Sequence, residues 1–389
     1  MNGLHGLDTH YDVIIVGARC AGSATAYLLA QSGAKVLLVD RQPYGSDTMS
    51  THALMRSAVL QLKRWGLMPR IAAAGTPTIR STTFHYGDEA IQVEIKSDHG
   101  VDCLLAPRRT VLDPLLVDVA REAGAVVRHG VALCELQFGS NDRVIGAFLR
   151  DGSGACRTVR ADIVIGADGR QSTVAQFVNS RAIVEGFNAS GVVFGYFADL
   201  DQNGLHWHYA RNAAAGVIPT NAGHCVFAAV PTSQFVATFR GDAMRGFLQV
   251  LESSFPELHA DIGRATLTGR LRSFAGATSY LRQCHGAGWA LVGDAGYFKD
   301  PLTAHGISDA LRDAQLLSRG IMDGGTRGLE AYQRERDELS LPLLRTTDAI
   351  ASFLWEVDEV KQLHADLSAA MKAEANHIAK MSQEPSLAA

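Results

Sequence analysis

Gly17 and Gly22, five residues apart, lie between two apolar runs, Val13 to Val16 and Val36 to Val39, and the second run ends in Asp40. These residue types at this spacing suit the holding of an adenine dinucleotide. A glycine turn releases the chain from a buried strand into a helix whose first N–H groups and dipole attract a pyrophosphate. A second glycine lets that helix pack against the strand, and a carboxylate at the end of the next strand accepts ribose hydroxyls. Arg19 stands where the pattern has its middle glycine. A Cβ there crowds the ligand, and a guanidinium beside phosphate offsets that loss.

Two more strand-to-glycine turns follow, Gly166-Ala167-Asp168-Gly169 and Gly293-Asp294, the latter with Pro301 seven residues beyond Asp294. Histidine is the side chain best matched to proton transfer near neutral pH. His206 and His208 alternate onto one face of a strand, with Trp207 and Tyr209 on the other. They read as candidates for deprotonating a substrate hydroxyl. A His-x-His metal site needs further ligands at suitable spacing and none is evident, so no metal is expected.

The elements that position these groups give an α/β chain. The 389 residues allow two or three domains, and 47% hydrophobic with 20% charged residues describes a globular protein with an ample core. A net charge of −4 without a basic block leaves no footprint for nucleic acid. Six scattered cysteines without C-x-x-C spacing read as reduced thiols. No apolar run approaches the about 18 residues of a membrane span, and the expected location is the cytoplasm. Residues 18–32 read as a helix closed by Gly33, residues 53–65 as another, and Asp113-Pro114 as a helix start. From 184 to 274 the texture is strand-rich, including Phe235 to Phe239, with one helix over 242–254. The chain from Leu341 onward has helical spacing.

Taken in order, the three turns resemble those of FAD-dependent monooxygenases of the para-hydroxybenzoate hydroxylase type, with their halogenase and geranylgeranyl reductase relatives. The resemblance covers about residues 10–340. It includes the Arg109-x-x-Leu112 helix entry, Gly166-Ala-Asp168-Gly169-Arg-Gln-Ser172 and Gly293-Asp294-Ala-Gly-Tyr-Phe-Lys-Asp-Pro301. It implies a Rossmann-like FAD-binding domain with an inserted antiparallel-sheet substrate domain and a C-terminal helical segment. The FAD-binding parts are expected at 1–76, 101–183 and 285–340, the substrate domain at 77–100 and 184–284, and the C-terminal helices at 341–389.

The same resemblance implies FAD contacts from Gly17, Arg19, Cys20, Ala21 and Gly22, and from Asp40 and Arg41. It adds Arg109, with Arg108 as a competitor, Asp168, and the Gly293-Asp294 turn, whose carboxylate suits a ribityl hydroxyl. Pro301, Gly306 and Ile307 would bring a helix N-terminus to the flavin pyrimidine edge, where reduced flavin carries negative charge. Departures are Ala175 for the family's arginine and Ser308 for its asparagine. Thr51-His52 and Arg56 stand where relatives approach the isoalloxazine ring, and His305 lies in the turn beside it. With His206 and His208, these are the candidate catalytic residues.

The implied activity is hydroxylation of a small aromatic or conjugated molecule through a flavin C4a-hydroperoxide, with NAD(P)H as electron donor directly or through a separate flavin reductase, in a monomer or homodimer. Reduction of an alkene or polyprenyl group, halogenation, and a non-catalytic flavoprotein are the alternatives.

Overall fold

In the computed structural model, which describes residues 3–381, the apolar runs become strands covered on both faces. β1 (His10–Val16) and β2 (Val36–Asp40) pair in parallel and are almost wholly buried. Successive β-branched and leucine residues leave no polar face, so helices must cover both sides. α1 (Cys20–Gln31) follows β1 at once, and Gly33, at φ +90°, ends it. The parallel strands run in the order Trp289–Leu291, Cys156–Gly166, β1, β2, Val126–His129. From β1 the chain builds outward first to one side and then to the other. This leaves a crevice at the carboxyl ends of β1 and Cys156–Gly166, where doubly wound sheets bind ligands. Val131–Phe138 and Val144–Asp151 add an antiparallel ladder to residues 156–160 of the long strand.

A second sheet is antiparallel except for one pair. Its path is Thr266–Leu267, Ser190–Ala198, Gly223–Pro231, Ala213–Thr220, Leu205–Ala210, then the hairpin Ser81–Tyr86 and Glu89–Glu94. Ser81–Tyr86 joins it in parallel through Leu205–Ala210. One face, with Val192, Phe194, Tyr196, Trp207 and Tyr209, packs toward Leu302, Ala304 and the C-terminal helices. The other, with Val193, Val217 and Val226, packs on helices between residues 232 and 262.

Two expected elements differ. Phe235 to Phe239 lies in a helix, Thr232–Phe239, instead of a strand. The Phe235 and Phe239 rings meet at 5.2 Å, tilted by 50°, across one helical turn while Val236 faces solvent, so the spacing is four and not two. Asp113 does not cap a helix. The helix begins at Arg109, one turn earlier, and places Pro114 inside it. Asp113 is instead an acceptor for Arg19, Cys20 and Arg109.

The C-terminal region forms Gly325–Ile350 and Val357–Met381, and the second returns to pack against α2 (Arg56–Arg64). No helix among the described residues is long and apolar enough to cross a membrane. All six cysteines are free thiols.

Candidate cofactor and substrate site

A cavity of about 720 Å3 opens at the crevice between β1 and Cys156–Gly166. Its floor is the first glycine turn. Gly17 has φ +107°, and a Cβ on it would lie 2.3 Å from the Ala167 carbonyl oxygen. Arg19 has ordinary extended backbone, so this position does not demand glycine. The Arg19 guanidinium reaches sideways to Asp113 at 2.9 Å and to the Ser46 Oγ at 3.0 Å, which holds it at the cavity edge. Asp40 lies on the same wall, accepting the Ala18 N–H and the Gln42 N–H at 2.7 Å each. Each carboxylate oxygen keeps a second lone pair for a ligand hydroxyl.

Cys20, Ala21, Arg41, Arg109, Asp168, Asp294, Pro301, Gly306 and Ile307 also line this cavity. Arg109 is fixed by Asp113, with Nε at 2.9 Å from Oδ1. Burial pushes the Cys20 thiol far up, so it is no thiolate. Asp168 spends its carboxylate on Ser172 and on the Thr173 and Val174 N–H groups, and so fixes the second turn. Asp294 has no hydrogen-bond partner for its carboxylate among the described residues. Burial raises it to about 6, against the pull of Arg109, Lys299 and Arg170. Gly306 and Ile307 open the helix Gly306–Met322 and bring its positive end to the wall. Ser308 accepts the Met55 N–H at 3.1 Å and ties this helix to the start of α2.

One part of the cavity wall is apolar. Val192 and Phe194 come from the second sheet, Phe274 from its edge, and Phe298 from the strand after Asp294. His52 also lines this part and is buried, with left-handed backbone at φ +67°. Its Nε2 is 2.5 Å from the Tyr196 hydroxyl, and its Nδ1 has no partner. Burial and the cations Arg109, Arg108 and Arg272 push His52 well below the usual histidine range, so it is neutral at pH 7. The Arg108 guanidinium stacks 3.4 Å above the Tyr196 ring. No short motif announces Tyr196 or Phe194; only the pairing of the second sheet brings them to His52.

Four of the expected catalytic residues lie elsewhere. Arg56 donates to the carbonyls of Lys96, Asp98 and Val101, pinning the chain where it returns from the hairpin. His206 and His208 face away from the cavity. They stack with His85, His208 at a centroid distance of 4.0 Å, and the helices between residues 232 and 262 cover that face. Burial and the two neighbouring imidazoles lower His208 to about 3.

His305 lies in the expected turn, but its ring points inward. Its Nδ1 is 3.1 Å from Asp309, and its Nε2 is 3.0 Å from Glu374 of the C-terminal helix. Gly22 and Gly293 do not line the cavity either. A Cβ on Gly22 would be 1.8 Å from the Gly17 carbonyl oxygen, and one on Gly293 2.8 Å from the Ala21 Cβ. Both glycines are close-packing positions beneath it.

His305, Asp309 and Glu374 present their ligand atoms close enough together for a metal ion. The cation position is already taken. Arg312 Nη1 sits 3.0 Å from Asp309 and 2.8 Å from Glu374, and Lys299 contacts the other Asp309 oxygen.

The cavity suits an adenine dinucleotide. The turn at Gly17 leaves no room for a Cβ against the Ala167 carbonyl, a carboxylate ends β2, and the half-buried Asp294 carboxylate has no hydrogen-bond partner among the described residues. Residues 10–347 match the FAD binding domain family. The chain belongs to this family. Within it, the chain is 23% identical over 332 residues to tryptophan 2-halogenase of Chondromyces crocatus. That match covers 79% of this chain but only 60% of the relative's length. It is 27% identical over 338 residues to menaquinone reductase of Mycolicibacterium smegmatis, covering 82% of this chain and 78% of that protein. PqsL of P. aeruginosa, solved in complex with 2-aminobenzoylacetate, shares the fold with a TM-score of 0.76. It is 18% identical, and the match covers 93% of this chain and all of that one.

Proposed function

We propose that this FAD-family oxidoreductase is a monooxygenase that hydroxylates a small aromatic or conjugated molecule bearing an ionisable hydroxyl or amine. The observation that carries the reading is His52, a neutral imidazole in the cavity lining whose Nε2 is bonded to Tyr196 and whose buried Nδ1 has no partner. Gly17, Asp40 and the start of α1 would hold the adenosine diphosphate half, with Arg19 and Arg41 beside the phosphates. Asp294 would accept a ribityl hydroxyl, and Pro301, Gly306 and Ile307 would border the flavin. FAD held there would supply the redox chemistry between NAD(P)H, directly or through a reductase, and oxygen.

The chain's own contribution is position, dryness and one hydrogen bond. Val192, Phe194, Phe274 and Phe298 form an apolar slot for a planar ring and exclude water. With its proton on Nε2 and directed at Tyr196, His52 would keep its buried, unpartnered Nδ1 as an acceptor for the substrate hydroxyl. Accepting a hydrogen bond from that hydroxyl would make the substrate ring more electron-rich without placing a full charge on His52. The likeness in fold to PqsL, solved with an aromatic acid, supports the substrate class. The likeness to menaquinone reductase favours a second reading, reduction of a conjugated C=C bond. That reaction needs a proton donor at the substrate, and His52 carries no spare proton at pH 7.

The test is oxygen uptake by FAD-loaded protein with NADH or NADPH and a panel of phenols and anilines. One of these is expected to stimulate uptake. His52→Asn, chosen because asparagine tolerates left-handed backbone, is expected to retain FAD and lose about 10²–10⁴-fold of that rate. If no aromatic stimulates uptake while quinones or conjugated alkenes are reduced without oxygen, the reductase reading replaces this one.

A further inference from the structure

Lys299 also lines the cavity, and the hydroxylation scheme gives it no role. It stands between Phe298, on the apolar wall, and Asp300, which accepts the Ser190 N–H and hydroxyl from the second sheet. The Lys299 side chain is only 1% exposed. Its ammonium contacts Asp309 and lies 3.2 Å from His305 Nδ1. Through His305 the contacts continue to Glu374, and Arg312 closes the group on Asp309, Asp313 and Glu374.

Counting charges shows why this cluster is not inert. Asp309, Asp313 and Glu374 bring three carboxylates, and Arg312 brings one permanent cation. A dry cluster holds together when its charges balance, so neutrality requires two more protons. The bases in contact that can carry them are Lys299 and His305. Burial opposes charge on both. With Arg312, it lowers Lys299 to about 7, against the pull of Glu374, Asp313 and Asp294. It lowers His305 as well, although Glu374 pulls the other way. Burial also opposes charge on Glu374, but His305 and Arg312 hold it ionised.

The remaining neighbours leave this inventory unchanged: Arg336, which also acts on Asp313, is paired with Asp337. Tyr297 offers its ring 5.1 Å from the ammonium, and burial keeps its hydroxyl protonated. The helix Gly325–Ile350 brings the Ser340 hydroxyl to Arg312. On the cavity side, Asp294 already responds to the charge on Lys299.

We infer that Lys299 links the proton content of the buried cluster to the charge held in the cavity, taking up a proton when a bound cofactor gains electrons and releasing it when they leave. The inference rests on the FAD part of the proposed function and is independent of which substrate is oxidised. The electrons come from the reductant and the proton from water. The only bond made on the protein is N–H at Nζ.

The experiment is an equilibrium redox titration of bound FAD against a reference dye at pH 6, 7.5 and 9. It compares wild type, Lys299→Met and Lys299→Arg. At pH 6, where Lys299 is charged, Lys299→Met is expected to be about tenfold harder to reduce, about 30 mV lower for a two-electron couple. That gap is expected to close at pH 9, where wild type has lost the charge. Arginine stays ionised, so Lys299→Arg is expected to be about tenfold easier to reduce than wild type at pH 9 and to match it at pH 6.

Gaps of equal size at all three pH values would mean a packing role and overturn the inference. If the methionine variant does not fold, the arginine comparison at pH 9 decides alone. Protein that folds but holds no FAD in any of the three forms overturns the cofactor reading itself, an outcome distinct from flat gaps.

Discussion

Asp294→Asn is expected to move stability and cofactor affinity in opposite directions. Asp294 lies half-buried at the end of the Trp289–Leu291 strand, and loss of water around its carboxyl outweighs Arg109, Lys299 and Arg170, so it titrates near 6. Its unfolded counterpart titrates near about 4. The folded state therefore binds this proton more tightly than the unfolded state. Stability from this group is complete below about pH 4 and falls as pH rises to about 6. Above that window the ionised carboxylate costs the FAD-free protein about 3 kcal/mol, at about 1.4 kcal/mol for each pH unit.

An asparagine of the same shape removes that cost. In urea titrations of FAD-free protein at pH 7.5, Asp294→Asn is expected to be more stable by up to about 3 kcal/mol, with an unchanged slope. At pH 5 the gain should be about half as large. The same variant should bind FAD about 10–100-fold more weakly, the value of a charge-assisted hydrogen bond to the ribityl chain. An FAD-free variant less stable than wild type at pH 7.5 would refute the reasoning, because it would mean that the three cations already overcompensate the burial.

Two further substitutions probe the frame around the cavity. Gly22→Ala puts a methyl group 1.8 Å from the Gly17 carbonyl oxygen. It should force α1 away from the turn at a cost of about 1–3 kcal/mol, read as a lower melting temperature together with loss of retained FAD. Arg312→Met leaves Asp309, Asp313 and Glu374 without their shared guanidinium. It should cost about 3–5 kcal/mol at pH 7 by denaturant titration; a cost below about 1 kcal/mol would show that Lys299 and His305 suffice.

Legibility in the sequence followed the range of the interactions. Gly17, Asp40 and the doubly wound sheet could be read because a turn, a helix start and a strand end are fixed by residues a few positions apart. The same holds for Asp294 and the helix entry at Gly306. The family and the inserted antiparallel sheet were legible through the order of three such turns. The alternation of His206 and His208 established that they share a face, but only the helices between residues 232 and 262 decide which face is covered. Arg56 stands near the cavity in the chain and spends its guanidinium on carbonyls 40 to 45 residues away. His305 was placed in the right turn, yet its direction depends on Glu374, 69 residues later. Tyr196 carries no local signal, and only the folded second sheet puts its hydroxyl on His52.

The position of Glu374 also bears on how this protein comes into being. The family match ends at residue 347, but the carboxylate that completes the charge cluster behind the cavity lies in the helix Val357–Met381. During synthesis, the glycine turns, both sheets and the helix Gly306–Met322 all leave the ribosome before that carboxylate does. Until it arrives, the buried Arg312 and His305 lack one of their counterions. The helix Val357–Met381 thus closes the charge cluster behind the cavity only after both sheets and the helix Gly306–Met322 have been synthesised.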